Sequence, residues 1–151
     1  MRAGGQMNVE SILTAKGRSV ETSRPDVSVV LVVHQLKRLG IGAVVVSTDR
    51  KRVEGVVSER DIVRGLATHG PRLLDLTVAD VMSRHGPTCT PADSITHVME
   101  VMTRTRNRHL PVLEAGNLCG LVSIGDLVKH RLEELELEAS VLRDIYRAGR
   151  G

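Results

Sequence analysis

The stretch Gly55-Val56-Val57-Ser58-Glu59-Arg60-Asp61 returns as Gly120-Leu121-Val122-Ser123-Ile124-Gly125-Asp126, and most of the chain repeats around it. At an offset of 66 residues, Thr22 falls on Thr88, Pro25 on Pro91, Ser28 on Ser94, Val29 on Ile95, Leu36 on Met102 and Val46 on Val112. One deletion in the following loop makes the offset 65 for Gly55, Ser58 and Asp61. Upstream, Val9-Glu10-Ser11-Ile12-Leu13 echoes Val78-Ala79-Asp80-Val81-Met82. Self-similarity at a fixed period means that one supersecondary unit has been used twice. Each copy is roughly 60 residues long and reads strand, helix, strand, hairpin, strand, helix.

In each motif the aliphatic pair reads as the end of a buried strand, and the residues after the aspartate read as a helix. A hydroxyl and a carboxylate therefore meet where a strand becomes a helix. Two uses fit. Ser-x-x-Asp is a common helix-capping pattern, with an acidic partner at the third helical position. The same groups suit a phosphate and a sugar: a hydroxyl and free helix N–H groups bind an anion, and a carboxylate accepts from ribose hydroxyls.

These residues resemble the tandem cystathionine-β-synthase (CBS) domain pair, often called a Bateman module, which regulates IMP dehydrogenase, AMP-activated kinase and several channels and transporters. The likeness runs from about Val9 to Arg131. Arg108-His109-Leu110-Pro111-Val112, followed by Gly120 to Lys129, looks especially like the bacterial stand-alone type. The resemblance implies an α/β (α+β) fold of two βαββα repeats packed as one pseudo-twofold module. The expected division is 9–70 for the first CBS domain, 75–131 for the second and 132–151 for a C-terminal helical tail.

The resemblance also implies a regulatory site for an adenine nucleotide (AMP, ADP, ATP or NAD) in each repeat. Asp61 and Asp126 fall on the family's ribose-binding aspartate, and Ser58 and Ser123 on its phosphate-side hydroxyl. Around the base it implies Thr22, Gly42, Ala43 and Val44 for one site, and Thr88, His109, Leu110 and Pro111 for the other. Gly42 and Ala43 lack bulk, which would let a flat base approach the backbone. Arg60, Arg108 and Lys129 are candidate phosphate partners, though a basic residue beside a helix start is also an ordinary solvated charge. The second repeat has Ile124-Gly125 where the first has Glu59-Arg60, so the two sites are not expected to bind one ligand equally well.

Composition narrows the alternatives. Of the 151 residues 41% are hydrophobic, but there is no Phe or Trp and Tyr146 is the single Tyr, so Val, Leu, Ile and Met must build the core. An adenine ring would be gripped by aliphatic groups and backbone. The lack of aromatics argues against single-strand nucleic-acid platforms, which stack bases. Net charge is +3, with Lys and Arg spread along the chain. Cys89 and Cys119 stand alone, as suits a reducing cytoplasm. None of the six His is spaced i, i+4 from another and no Cys-x-x-Cys occurs, which argues against structural zinc. No Gly-x-Ser-x-Gly elbow, P-loop or Gly-x-Gly-x-x-Gly appears, so no enzyme activity and no required cofactor are expected. No apolar run reaches the roughly 18 residues of a membrane span, and the glycine-rich Met1 to Met7 lacks a secretory core.

Local signals conflict in one place. Val29-Val30-Leu31-Val32-Val33 has the composition of a buried strand, yet its counterpart carries Ile95, Val98, Met99 and Met102 at helical spacing. The repeat predicts a helix over 28–39. Met1 to Asn8 reads as a flexible lead, Arg52 to Ser58 as the first repeat's third strand, Thr88 to Thr90 as the second repeat's first strand, and the residues beyond Arg131 as an amphipathic, interrupted helix. The aliphatic stripes of Val29–Leu39 and Ile95–Met102 exceed what one small core needs and suggest a homodimer. The sequence names no regulated partner protein. The rival to nucleotide sensing is a structural interaction module with vestigial sites.

Overall fold

The computed structural model describes residues 7–150. In chain order the elements are α1 (Val9–Lys16), β1 (Thr22–Ser23), α2 (Val29–Leu39), β2 (Ala43–Val46), β3 (Gly55–Ser58), α3 (Glu59–His69), a 3-10 turn (Gly70–Asp75), α4 (Val78–Val81), α5 (Ile95–Thr105), β4 (His109–Glu114), β5 (Asn117–Ser123) and α6 (Ile124–Arg150).

The valine-rich run over 29–33 is helical, as the repeat requires. The Ser28 hydroxyl accepts from Val30 N–H, and Gly40 closes α2 in the left-handed region at φ 63°. Only Val29, Val32 and Leu36 face inward, which is the helical stripe and not a strand face. In α5, Ile95, Val98, Val101 and Met102 are all buried in the protomer's own core, so this stripe leaves no surplus for a partner.

In the first repeat β1 pairs parallel with β2, and β2 antiparallel with β3. The second repeat keeps the antiparallel pair β4–β5, but its first strand shrinks to one parallel bridge from Cys89 to Val112. The predicted strand over 88–90 is thus a single ladder rung. Pro87 and Pro91 flank the segment and supply no N–H, which limits ladder growth. The β4–β5 hairpin turns through Ala115 and Gly116, both at positive φ, as a two-residue turn requires.

Each leading helix packs on the other repeat. Val9, Ile12 and Leu13 of α1 join Ile95, Val98, Leu110, Val122 and Leu127 in one apolar cluster. Val78 and Met82 join Val32, Leu36, Val44, Val46 and Val57 in the other. The backbone repeats the exchange: Val9 N–H donates to Asp93 C=O and Glu10 N–H to Pro91 C=O, as Val78 N–H donates to Val27 C=O and Ala79 N–H to Pro25 C=O.

Three expectations need correction. Met7 and Asn8 are not a loose lead: Asn8 caps α1 through Ser11 N–H, and Met7 N–H donates to the Glu134 carboxylate at 2.8 Å. Residues 1–6 of that segment lie outside the described residues. The interrupted tail is one unbroken helix, α6, of 27 residues, about 40 Å long. It has no internal Pro, and its only Gly, Gly125 and Gly149, lie at its ends. Third, strand β3 begins at Gly55, not Arg52, because Asp49 accepts from the Lys51 and Arg52 N–H groups and holds them in the turn.

The exchange explains the glycine of the repeated motif. A Cβ on Gly55 would lie 2.7 Å from the Ser83 carbonyl oxygen, and one on Gly120 would lie 2.6 Å from a Leu13 methyl. Both clashes come from the segment contributed by the other repeat. Gly55→Ala should therefore cost about 1–3 kcal/mol, and Gly120→Ala less, because a leucine end rotates and a backbone carbonyl does not. Urea denaturation of both variants checks the order.

Candidate functional site between the repeats

The starts of β2 and β4 meet where the repeats face each other. Glu59 N–H donates to Gly42 C=O, and its counterpart Ile124 N–H donates to Arg108 C=O, so Gly42 and Arg108 occupy matched positions. The His109 imidazole fills the room beside Gly42: a Cβ there would lie 3.0 Å from Nε2, and 3.1 Å from the Glu59 carboxylate. The space reserved from sequence for a base at Gly42 is thus taken by a side chain of the other repeat.

A cleft of about 200 Å³ opens beside this contact. One wall is the start of α3, with Ser58, Arg60, Asp61 and Arg64; the other is the turn from α5 to β4, with Arg106, Asn107, Arg108 and His109. Residues placed by sequence in two separate sites, Ser58, Arg60 and Asp61 of one and Arg108 and His109 of the other, therefore share one cleft. Shared lining residues connect it to hollows near Ile124 and Thr88. Four arginines and two acidic residues, Glu59 and Asp61, line it, so the lining residues carry a net positive charge.

The capping reading of Ser-x-x-Asp has a geometric basis. Asp61 N–H donates to Ser58 Oγ at 3.3 Å, and Ser58 N–H donates to Asp61 Oδ2 at 2.8 Å, a complete capping box. Asp61 is buried, and its other oxygen, Oδ1, accepts from the Ser83 hydroxyl at 2.7 Å. Ser83 arrives with the exchanged segment after α4.

The second copy differs. Ser123 and Asp126 make the same reciprocal bonds, at 2.9 and 3.1 Å. Here the exchanged α1 delivers Lys16, whose Nζ donates to Asp126 Oδ2 at 2.7 Å and to Leu121 C=O at 3.0 Å. Burial pushes the Asp126 carboxyl up, but the Lys16 and Ser123 hydrogen bonds outweigh it and hold the group below its ordinary range. Lys16 thus shares Oδ2 with the Ser123 cap, whereas Ser83 takes the other oxygen, Oδ1, of Asp61.

The other sequence-derived residues disperse. Ala43, Val44, Leu110 and Pro111 are buried, so Val44 and Leu110 side chains belong to the cores. Thr22 lies in β1, where its C=O accepts from the Gln35 amide. Thr88 and Pro111 line the hollow next to the main cleft. Lys129 is exposed on α6 and lines none of these hollows.

Sequence reasoning missed Lys16, Ser83, Arg64, Arg106 and Asn107. Lys16 and Ser83 enter only through the exchange. Arg106 carried a signal: it aligns with Gly40, and like that glycine it is left-handed, at φ 59°. An arginine held in a glycine conformation is strained, and strain of this kind gathers at functional sites. Its C=O accepts from Arg60 Nη1 at 3.1 Å, tying the two walls together.

Burial pushes His109 below the ordinary imidazole range, with Glu59 opposing. A histidine whose folded pKa is depressed lends stability that is complete above its unfolded value, about 6.5, and is lost as pH falls through that value toward the folded one. Wild type should therefore lose stability on acidification below about pH 6.5, and His109→Asn should lose less. Denaturant midpoints from pH 8 to 5 measure the difference; parallel curves would assign the slope elsewhere.

A family model for the CBS domain matches residues 13–68 and 78–133. The mitochondrial CBS domain-containing protein CBSX3 of Arabidopsis thaliana is 30% identical over 146 residues, spanning 88% of this chain and 71% of that protein. The solved CBS-domain protein of Agrobacterium tumefaciens superposes with a TM-score of 0.79 at 40% identity, covering 83% of this chain and 99% of the other. The CBS domain pair of protein MJ0100, solved with 5′-methylthioadenosine and S-adenosyl-L-methionine, has a TM-score of 0.75 at 18% identity, covering 85% and 98%.

Proposed function

The chain belongs to the CBS-domain family, whose paired domains are regulatory modules, and on that premise we propose that it senses an adenosine nucleotide bearing more than one phosphate, ADP or ATP before AMP. The observation that carries this is the arginine ring: Arg60 and Arg64 on one repeat face Arg106 and Arg108 on the other across one cleft. Guanidinium groups bind phosphate oxygens in pairs. A phosphate chain held from both walls stabilises the arrangement in which the walls are close. That is how a ligand shifts a conformational equilibrium, through unequal affinity for two states.

The adenosyl ligands of the MJ0100 pair suit an adenosine part; at that identity the likeness carries the fold only, so the phosphate preference rests on this cleft's own charges. A ribose at Asp61 has to compete with the Ser83 hydroxyl for Oδ1. The second repeat favours the rival reading for its own half: with Lys16 on Asp126, a nucleotide there has to compete with an ion pair, so the first site is the stronger. The module acts by regulation and not by catalysis. It works as a homodimer, and its two free thiols suit the cytoplasm. Among the described residues no helix is long and apolar enough to cross a membrane.

Calorimetry with ATP, ADP, AMP and adenosine tests this. Affinity should fall as phosphates are removed. Arg60→Ala and Arg108→Ala should each weaken ATP by about 10- to 100-fold, the value of a hydrogen bond to a charged group. Saturating ATP at about 100 times its dissociation constant should add roughly 2.7 kcal/mol, a rise of about 5–11 °C in melting temperature. Unchanged affinity in both arginine variants would remove the phosphate assignment, and no heat with any nucleotide would leave the structural reading.

Two substitutions separate binding from stability. Arg106→Gly should raise stability by about 1 kcal/mol, because glycine adopts the left-handed conformation without strain, and yet weaken ATP. Lys16→Met should cost no more than about 1 kcal/mol at neutral pH, being a partly exposed pair, and should strengthen binding at the second site. Its stability cost should fade below about pH 4, where Asp126 takes up a proton.

A further inference from the structure

We infer that the outer face of α6 pairs with the same face of a second copy, forming a parallel two-stranded coiled coil. The inference deepens the homodimer part of the proposed function and is independent of the nucleotide part.

Helix α6 has two unlike sides over its first three turns; beyond Glu134, Leu137, Val141 and Ile145 are exposed off the seam as well. Leu127, His130 and Glu134 are buried against the module, and Met7 N–H ties down Glu134. Turned away from them is a line of apolar residues: Val128, Leu132, Leu135, Ala139, Leu142 and Tyr146. Their spacing alternates four and three, which averages the 3.5-residue repeat of a coiled-coil seam. The module leaves this seam open: Val128 is 43% exposed, Leu132 55%, Leu135 42%, Leu142 66% and Tyr146 64%. With Leu132, Ala139 and Tyr146 at the a positions, Val128, Leu135 and Leu142 stand at d.

The flanking charges select the occupant and its direction. Arg131 and Glu138 fall at g, and Glu136 and Arg143 at e. In a parallel, in-register pair each g residue faces the e residue of the next heptad on the other helix. Arg131 then meets Glu136 of the second copy, and Glu138 meets its Arg143. The twofold axis makes each pair twice, and no like charges meet. Antiparallel pairing is worse in either register. Stacking all six apolar positions sets Glu136 on Glu136 and Glu138 on Glu138, whereas matching Glu136 to Arg143 sets Lys129 against Arg150. The seam is complementary to itself, in one orientation.

Light scattering of the full chain at micromolar concentration should give twice the chain mass. Leu135→Asp with Leu142→Asp should weaken association by at least about 100-fold, from the apolar area left in water, giving a single-chain mass. Both side chains lie outside the cores, so the variant should still melt cooperatively and bind nucleotide as wild type does. Glu138→Arg should weaken the dimer by about 10-fold, and adding Arg143→Glu should restore it. A monomeric wild type overturns both this inference and the homodimer. A double-aspartate variant that stays dimeric overturns the seam alone and moves the contact to another apolar face, such as that of Leu31 or Val63. An unaffected Glu138→Arg overturns the parallel arrangement, because only there does residue 138 face Arg143.

Discussion

The structure depends on the exchange of leading helices between the repeats. Neither repeat has a complete core of its own. The second lacks a cover until α1 supplies Val9, Ile12 and Leu13, and the first until α4 and its extension supply Val78 and Met82. A unit of roughly 60 residues is marginal on its own, and here there is no Phe or Trp to help. Exchange makes the two cores interdependent, so the link between repeats is structural and not a tether. It also fixes where side chains of opposite repeats can meet.

That last consequence shapes the cleft. The same motif, folded the same way, ends in two different electrostatic states because of what the exchanged segment delivers. Beside Asp61 it brings the neutral hydroxyl of Ser83, and beside Asp126 the cation of Lys16. A hydroxyl yields readily to another hydroxyl. The Lys16 amino group is held by a carboxylate and a carbonyl, though as a partly exposed pair it is worth no more than about 1 kcal/mol. The pseudo-symmetry of the fold therefore carries no symmetry of charge around the two aspartates. The capping role of Ser58 and Ser123 and a binding role do not compete either: the cap uses Oγ and one carboxylate oxygen, and the remaining oxygen of Asp61 faces the exchanged segment.

Helix α6 joins the two themes. Its first turns belong to the repeat, with Asp126 at the second site and Leu127 in the core, and its later turns leave the module while keeping a strict apolar spacing. The helix is continuous from the second aspartate to the exposed apolar line.

The two-unit architecture, the helical state of 28–39 and the strand-to-helix placement of Ser58, Asp61, Ser123 and Asp126 are legible in the amino-acid order. All of these follow from local chemistry or from repetition, and repetition overruled the strand propensity of five consecutive aliphatics. Which repeat each leading helix serves emerges from packing, because hydrophobic periodicity shows that a helix has a buried face and not what buries it. For the same reason Lys16 and Ser83 were invisible as neighbours of the two aspartates, and Gly42 seemed open until His109 filled it from across the axis. The shared arginine cleft arises from residues 40 or more positions apart, brought together by packing that no local pattern encodes.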